Sequence, residues 1–451
     1  MSKNTFALSA TEGSPLSRRP LLTRGLRREQ AKRERKRRRI DADTLVVGID
    51  LARENQAVTF AARHEILGRL RLRCTPSELP IVLPPAEKLR RNHGLKRIVV
   101  AMDPAGHYWG LAAEAFERAG VDYVLVHPLS VKREREITRY NRSKSDPLDA
   151  DLIATLALQG KFTGTRLFAS TDRATLNALG REYQLVRRQS AAERTRLANL
   201  WDRMLPELNT LFRQPTGQTL LAVAEALLPL SELARLTLRQ WRSRVRRSAQ
   251  GDRILLARAC DLLPLLRTAA ADPHRRYGDG LPFRIRAAAQ RRRLLEQQKL
   301  HIREEILARY QRMEESVYLD SIHESDPFYN ALTLAFVGDL NDYDDPRTLV
   351  KLAGSDILDN TSGDFTGRSR ISKRGRSPLR AVSYQQARRL VARNTDYRQR
   401  FRALVFTTRP RRLTEMEAYV AVANSYLRTA HFLVTHRELY RPFAERKGGT
   451  T

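Results

Sequence analysis

Thr44-Leu45-Val46-Val47-Gly48-Ile49-Asp50 decides the fold. An apolar run rich in β-branched residues, bounded by polar ones, predicts a buried strand. This one ends in a carboxylate. A charge at the rim of a sheet costs desolvation, which a metal ion held there offsets. Downstream, Ala57–Ala62 and Ile66–Leu72 follow on short connections and predict an antiparallel three-stranded meander. A helix is expected over Pro85–Asn92. Arg97-Ile98-Val99-Val100-Ala101-Met102-Asp103 then repeats the pattern, an apolar strand ending in aspartate. A helix from Tyr108 to Ala119, closed by Gly120, and a fifth strand, Tyr123–His127, complete the run. Three strands, helix, strand, helix, strand, helix is the ribonuclease-H-like order, an α/β mixed sheet flanked by helices.

The last helix opens at Asp146-Pro147-Leu148-Asp149-Ala150. Asp146 fits an N-cap and Pro147 the first helical position. Asp146 and Asp149, three apart, share a face where the helix dipole favours anions. Taken singly, Asp146 is a plain cap and Asp149 a solvated first-turn acid. In the ribonuclease-H-like order, however, the first and fourth strands end side by side and the last helix crosses them. Asp50, Asp103, Asp146 and Asp149 then converge. Such a cluster is tolerable only around a cation. Oxygen ligands predict Mg²⁺ or Mn²⁺, and two such ions clamp the attacking and leaving oxygens of a phosphodiester. His107, just past Asp103, is expected to pack rather than to ligate.

Charge names the partner class. Among 451 residues, 82 Lys+Arg stand against 50 Asp+Glu, a net charge of +32. Most of the excess is arginine, which suits bidentate phosphate contacts, so a polyanion, DNA or RNA, is expected. Cys74 and Cys260 are too far apart for a zinc finger or a disulfide framework. No stretch approaches the roughly 20 apolar residues of a membrane span, and no secretory h-region opens the chain. A cytoplasmic, nucleoid-associated protein without a membrane partner is expected.

Residues 1–42 read as a basic disordered arm and 43–160 as the α/β domain. Residues 171–318 read as a helical, coiled-coil region. Leu176, Leu179, Tyr183, Val186, Leu197, Leu200 and Met204 form a heptad seam broken by Ser190 and Glu193. A second run, Phe283–Glu315, pairs with the first as a hairpin or across a dimer. The insertion 214–280 has mixed helices and no assignable chemistry. Residues 326–445 form a second, mainly helical domain. In it Asn360-Thr361-Ser362-Gly363 is a small-residue turn running into a basic loop, followed by helices at Leu379–Arg393 and Glu415–Thr435. Arg368, Arg370, Lys373, Arg374, Arg376 and Arg380 are expected to hold phosphates. A serine nucleophile needs an activator. With no histidine nearby in sequence, Ser362 by itself reads as a turn serine.

Val47-Gly48-Ile49-Asp50, Met102-Asp103-Pro104-Ala105-Gly106-His107-Tyr108-Trp109 and Lys144-Ser145-Asp146-Pro147-Leu148-Asp149-Ala150 resemble, in order, the first domain of the DEDD transposases of bacterial insertion sequences, the "one-ten" family. Leu352-Ala353-Gly354, Thr361-Ser362-Gly363, Ile371-Ser372-Lys373-Arg374-Gly375, Leu379-Arg380 and Ala421-Val422-Ala423-Asn424 resemble that family's C-terminal domain. The resemblance implies a RuvC-like (Holliday-resolvase-like) domain, a coiled coil and a serine-bearing transposase domain. It implies a DNA recombinase guided by a bridge RNA and assembled as a homodimer or homotetramer on two DNAs. By the same resemblance, Asp50, Asp103, Asp146 and Asp149 hold Mg²⁺, and Ser362 attacks a phosphodiester to hold one DNA end as a phosphoserine. A composite of the two domains then supplies the activator that Ser362 lacks.

The chain departs from that family at three places. The second acid is usually Glu, and Asp103 reaches less far. The usual glycine-rich turn is replaced by Ile322-His323-Glu324-Ser325-Asp326-Pro327. The 214–280 stretch and the basic arm are extra. Two other readings stay open: a metal-dependent junction or RNA–DNA nuclease in which Ser362 is structural, and a non-catalytic nucleic-acid binder.

Overall fold

The computed structural model describes residues 40–104, 106–138, 146–162, 171–211, 217–272, 280–358, 361–362, 365–366, 370–406 and 412–442. Two compact units divide the chain, residues 1–167 and 168–451. Most of the basic arm, Arg368 and the turn residues beside Ser362 lie outside the described residues. The arm's last residues belong to the first unit instead. Ile40 is buried, and Asp41 accepts from Thr44 Oγ1 at 2.7 Å and from Arg97 Nη2 at 3.0 Å.

In the first unit, β1 (Thr44–Asp50), β2 (Asn55–Ala62) and β3 (Glu65–Arg73) form the expected meander. β4 (Arg97–Met102) and β5 (Tyr123–Leu125) run parallel to β1, giving the order β3-β2-β1-β4-β5. β1 is covered on both faces, which is why its sequence is continuously apolar instead of alternating. One face packs with α1 (Leu83–Asn92) and α2 (Tyr108–Arg118), through Val47, Ile49, Val100 and Phe116. The other packs with α3 (Pro128–Thr138) and α4 (Asp146–Leu158), through Val46, Ala101, Val131 and Ile153. The sequence pattern did not anticipate α3. Five of its eleven residues are charged, and among its described side chains Val131 is the buried one, too little to show a helical period.

Gly48 lets α4 lie directly on β1. A Cβ there would fall 2.6 Å from the Ala150 carbonyl oxygen and 2.7 Å from Ala154 Cβ. Asp151 ties the same helix to the sheet. It accepts from Thr59 Oγ1 at 2.7 Å and from Arg69 Nε and Nη2 at 2.9 Å each.

In the second unit, α5 (Thr171–Met204) packs along α10 (Gly280–Tyr310). Contacts descend in one as they rise in the other: Asp172 with Arg309, Ser190 with Glu296, Glu193 with Arg291. The pair is therefore an antiparallel hairpin within one chain. The polar breaks in the seam are its cross-links: Ser190 Oγ donates to Glu296 at 2.5 Å, and Glu193 meets Arg291 at 3.0 Å. Between these helices the chain forms α6 (Gln218–Ala226), α7 (Leu238–Ser248), α8 (Arg253–Asp261) and α9 (Leu263–Ala271). They share a core with the hairpin, built around Trp201, Leu221, Trp241 and Ile285. A separate core gathers Leu176, Ile306 and Tyr310 with α11 (Pro327–Val337), α12 (Arg347–Ala353), α13 (Ser377–Arg393), α14 (Thr395–Phe406) and α15 (Glu415–His436).

Candidate active site and nucleic-acid interface

Asp50 is the last residue of β1, and Ile49 stands opposite Met102 in the parallel register with β4. One step further, Asp50 and Asp103 share the same end of neighbouring strands, both half-buried. β4 ends before Asp103, and Gly106, at φ 70°, turns the chain into α2. α4, seated on Gly48, carries Asp149, which is 4% exposed. Asp149 is engaged by Arg135 of α3, whose Nε donates at 2.9 Å and Nη2 at 2.5 Å. Asp146 opens α4, and its side chain lies outside the described residues.

The structure thus brings Asp50 and Asp103 to one rim and gives Asp149 a guanidinium partner. Among the described residues, no three His, Cys, Asp or Glu groups come close enough together to hold a metal ion. The four acids are all carboxylates, the ligand type that Mg²⁺ and Mn²⁺ take, and the most buried described one, Asp149, is paired with Arg135. His107 packs on a neighbouring ring at the surface and not in the core. It is exposed, its ring 4.1 Å from that of Tyr108.

Ser362 stands on a short β-ribbon. β6 (Ile357–Leu358) pairs antiparallel with β9 (Arg370–Ile371). Within the loop they bound, β7 (Thr361–Ser362) pairs with β8 (Phe365–Thr366), Ser362 opposite Phe365. The base of the ribbon is fixed tightly. Gly354 closes α12 at φ 65°, and a Cβ on Gly375 would fall 2.4 Å from both Gly354 N and the Leu352 carbonyl oxygen. Lys373 N donates to Gly354 O at 2.9 Å and Arg376 N to Leu352 O at 2.6 Å. Ser355 Oγ donates to Asn424 of α15 at 2.6 Å, and Ser372 Oγ donates to Asp356. The Leu352–Gly354, Ile371–Gly375 and Ala421–Asn424 stretches therefore meet at one platform beneath the serine ribbon.

The basic loop divides by use. Arg370, Lys373 and Arg374 are exposed, Lys373 in a left-handed conformation at φ 52°. Arg376 donates to the Phe336 carbonyl and Arg380 to the Ala353 carbonyl, the latter at 2.8 Å. Those two guanidiniums hold the platform together, a role that sequence reasoning missed. It also missed Arg135, which sits in the charged run Lys132–Glu136, where nothing sets it apart. Gly354 and Gly375 stand where the two backbones approach too closely for a Cβ.

Two family models match the chain. One, of the DEDD type and described as Transposase, matches residues 47–209. The other, described as Transposase IS116/IS110/IS902 family, matches residues 318–403. The first match includes Asp50, Asp103, Asp146 and Asp149, and the second includes Ser362 and the basic loop. Residues 214–280 lie in neither. No curated protein matches the chain.

Proposed function

The chain belongs to the IS110 family of insertion-sequence transposases, and from that premise we propose that it is a DNA recombinase using Ser362 as nucleophile beside an acidic metal site, guided by a structured bridge RNA. Transposases act on DNA, cutting and rejoining it. What supports the finer reading most is the shared strand end of Asp50 and Asp103, because a ribonuclease-H-like sheet presents its reactive carboxylates there.

Asp50, Asp103, Asp146 and Asp149 would hold Mg²⁺ or Mn²⁺, which supplies charge stabilisation to a phosphodiester under attack. Ser362 Oγ forms a bond to phosphorus while the bond from phosphorus to the leaving sugar oxygen breaks. The serine proton passes to a carboxylate or water, and the departing oxygen takes up a proton. The phosphoserine keeps the energy of the broken bond. A sugar hydroxyl of the second DNA then displaces serine by the reverse exchange. Arg370, Lys373 and Arg374, with Arg368, hold flanking phosphates, while Arg376 and Arg380 brace the platform beneath them. The reading requires the acids and Ser362 to act on one phosphodiester, within one chain or between copies in a homodimer or homotetramer.

The test is strand exchange between two plasmids bearing the element's ends, with the RNA transcribed from its flanking sequence. The wild-type chain recombines them only with that RNA and Mg²⁺, and Ser362→Ala or Asp50→Asn abolishes the product. Cleavage retained by Ser362→Ala, or cleavage without rejoining by the wild type, would favour a metal-dependent nuclease instead.

A further inference from the structure

Between the two matched regions, α6, α7 and α10 surround an open groove of about 720 Å³. α7 is built to present charge there. Trp241 and Val245 bury one side of it, and Trp241 Nε1 donates to the Ala259 carbonyl at 2.9 Å. Its remaining face carries Arg239, Arg242, Arg244, Arg246 and Arg247 with no acidic residue. Among the described residues none of these five has an ion-pair partner, although Arg–carboxylate pairs are common elsewhere in the chain. Arg244 and Arg247 line the groove, and Arg244 Nε is buried without a hydrogen-bond partner.

The facing wall is prearranged. Arg293 pairs with Glu225 and donates to the Ser248 carbonyl at 2.8 Å. Arg286 donates to the Leu227 carbonyl at 3.1 Å, and its guanidinium carbon lies 5.9 Å from the Phe283 ring centroid. Phe283 itself is 61% exposed. An aromatic face beside unneutralised guanidiniums, within one groove, is the combination that takes a phosphate and stacks the attached base.

We propose that this groove is an accessory RNA site that takes an unpaired nucleotide, with Arg244 and Arg247 on its phosphate and Phe283 under its base. A duplex hides its base faces, whereas loops and bulges of a folded RNA splay bases outward and hold them there. The volume lies in the range of nucleotide-sized ligands. The proposal rests on the RNA-guided reading only for the source of the RNA. It involves neither the acids nor Ser362.

Fluorescence anisotropy on the full chain tests it, using an RNA hairpin with an unpaired loop, a blunt RNA duplex of equal length, and single-stranded DNA of the loop sequence. Phe283→Ala, at an exposed position, should weaken hairpin binding about tenfold and leave the duplex nearly unchanged. Arg244→Gln with Arg247→Gln should flatten the salt dependence of hairpin binding by about 0.7 in log–log slope, the share of one phosphate. Asp50→Asn should change neither, so failure here is distinguishable from failure of the catalytic reading. Equal losses on hairpin and duplex, no loss with Phe283→Ala while helicity is intact, or single-stranded DNA bound as tightly as the hairpin would each overturn the assignment.

Discussion

Arg135 and Asp149 form a bidentate ion pair in the first unit, with hydrogen bonds of 2.9 and 2.5 Å, and their side chains are 18% and 6% exposed. The guanidinium neutralises a carboxylate that the proposed function assigns to a metal. Under the proposed function, a metal ion at Asp149 would have to compete with this guanidinium.

Arg135→Ala should consequently destabilise the chelator-treated protein by about 3 kcal/mol, the cost of leaving a buried carboxylate unpaired. Added Mg²⁺ should restore more of the melting temperature to this variant than to the wild type, since its competitor is gone. Thermal unfolding with and without Mg²⁺ checks both. A variant that melts like wild type in chelator, or responds less to Mg²⁺, would mean that Arg135 does not compete with the ion for Asp149.

The serine platform makes a steric prediction. A methyl group on Gly375 would enter the backbone of Gly354 and Leu352 at 2.4 Å. Backbone cannot yield as a flexible side chain does, so Gly375→Ala should cost roughly 1–3 kcal/mol or more. Strand exchange should fall with it, because the ribbon carrying Ser362 rests on this contact. Urea unfolding of the variant measures the first effect. An unchanged midpoint would show that the two backbones are not held together as described.

Much of this architecture is readable in the residues alone. The runs ending at Asp50 and Asp103 are legible because strands buried on both faces must be apolar throughout. The polar breaks Ser190 and Glu193 are visible for the opposite reason, as polar groups where a seam should be apolar. What they pair with is not visible, since a heptad pattern does not say whether its partner is the same chain or another; the contacts to Glu296 and Arg291 answer that. Arg135 is hidden among similar charges, and its role comes only from the way α3 packs against α4. Arg376 and Arg380 look like phosphate ligands in a basic run, yet bond to the domain's own carbonyls.

The hairpin seam gives a pH-dependent prediction. Burial pushes the Glu296 carboxyl up, but hydrogen bonds from Lys299 and Ser190 outweigh it and leave the group below its ordinary value of 4.5. A lowered folded-state value means that the charge stabilises the fold above the unfolded value, and that this contribution is lost as pH falls through the folded one. Wild type should therefore outlast Glu296→Gln at pH 7, with the gap closing below about pH 4. Melting curves across that range decide it; a constant gap would assign the effect to neutral hydrogen bonding.

The most direct test of the central claim is mass spectrometry on the chain after reaction with a DNA substrate nicked so that the strand end cannot rejoin. The account predicts a DNA-linked phosphoester on the peptide containing Ser362, dependent on Mg²⁺ and absent from Ser362→Ala and Asp50→Asn. Cleaved DNA with no adduct on Ser362, or an adduct on another residue, would contradict it.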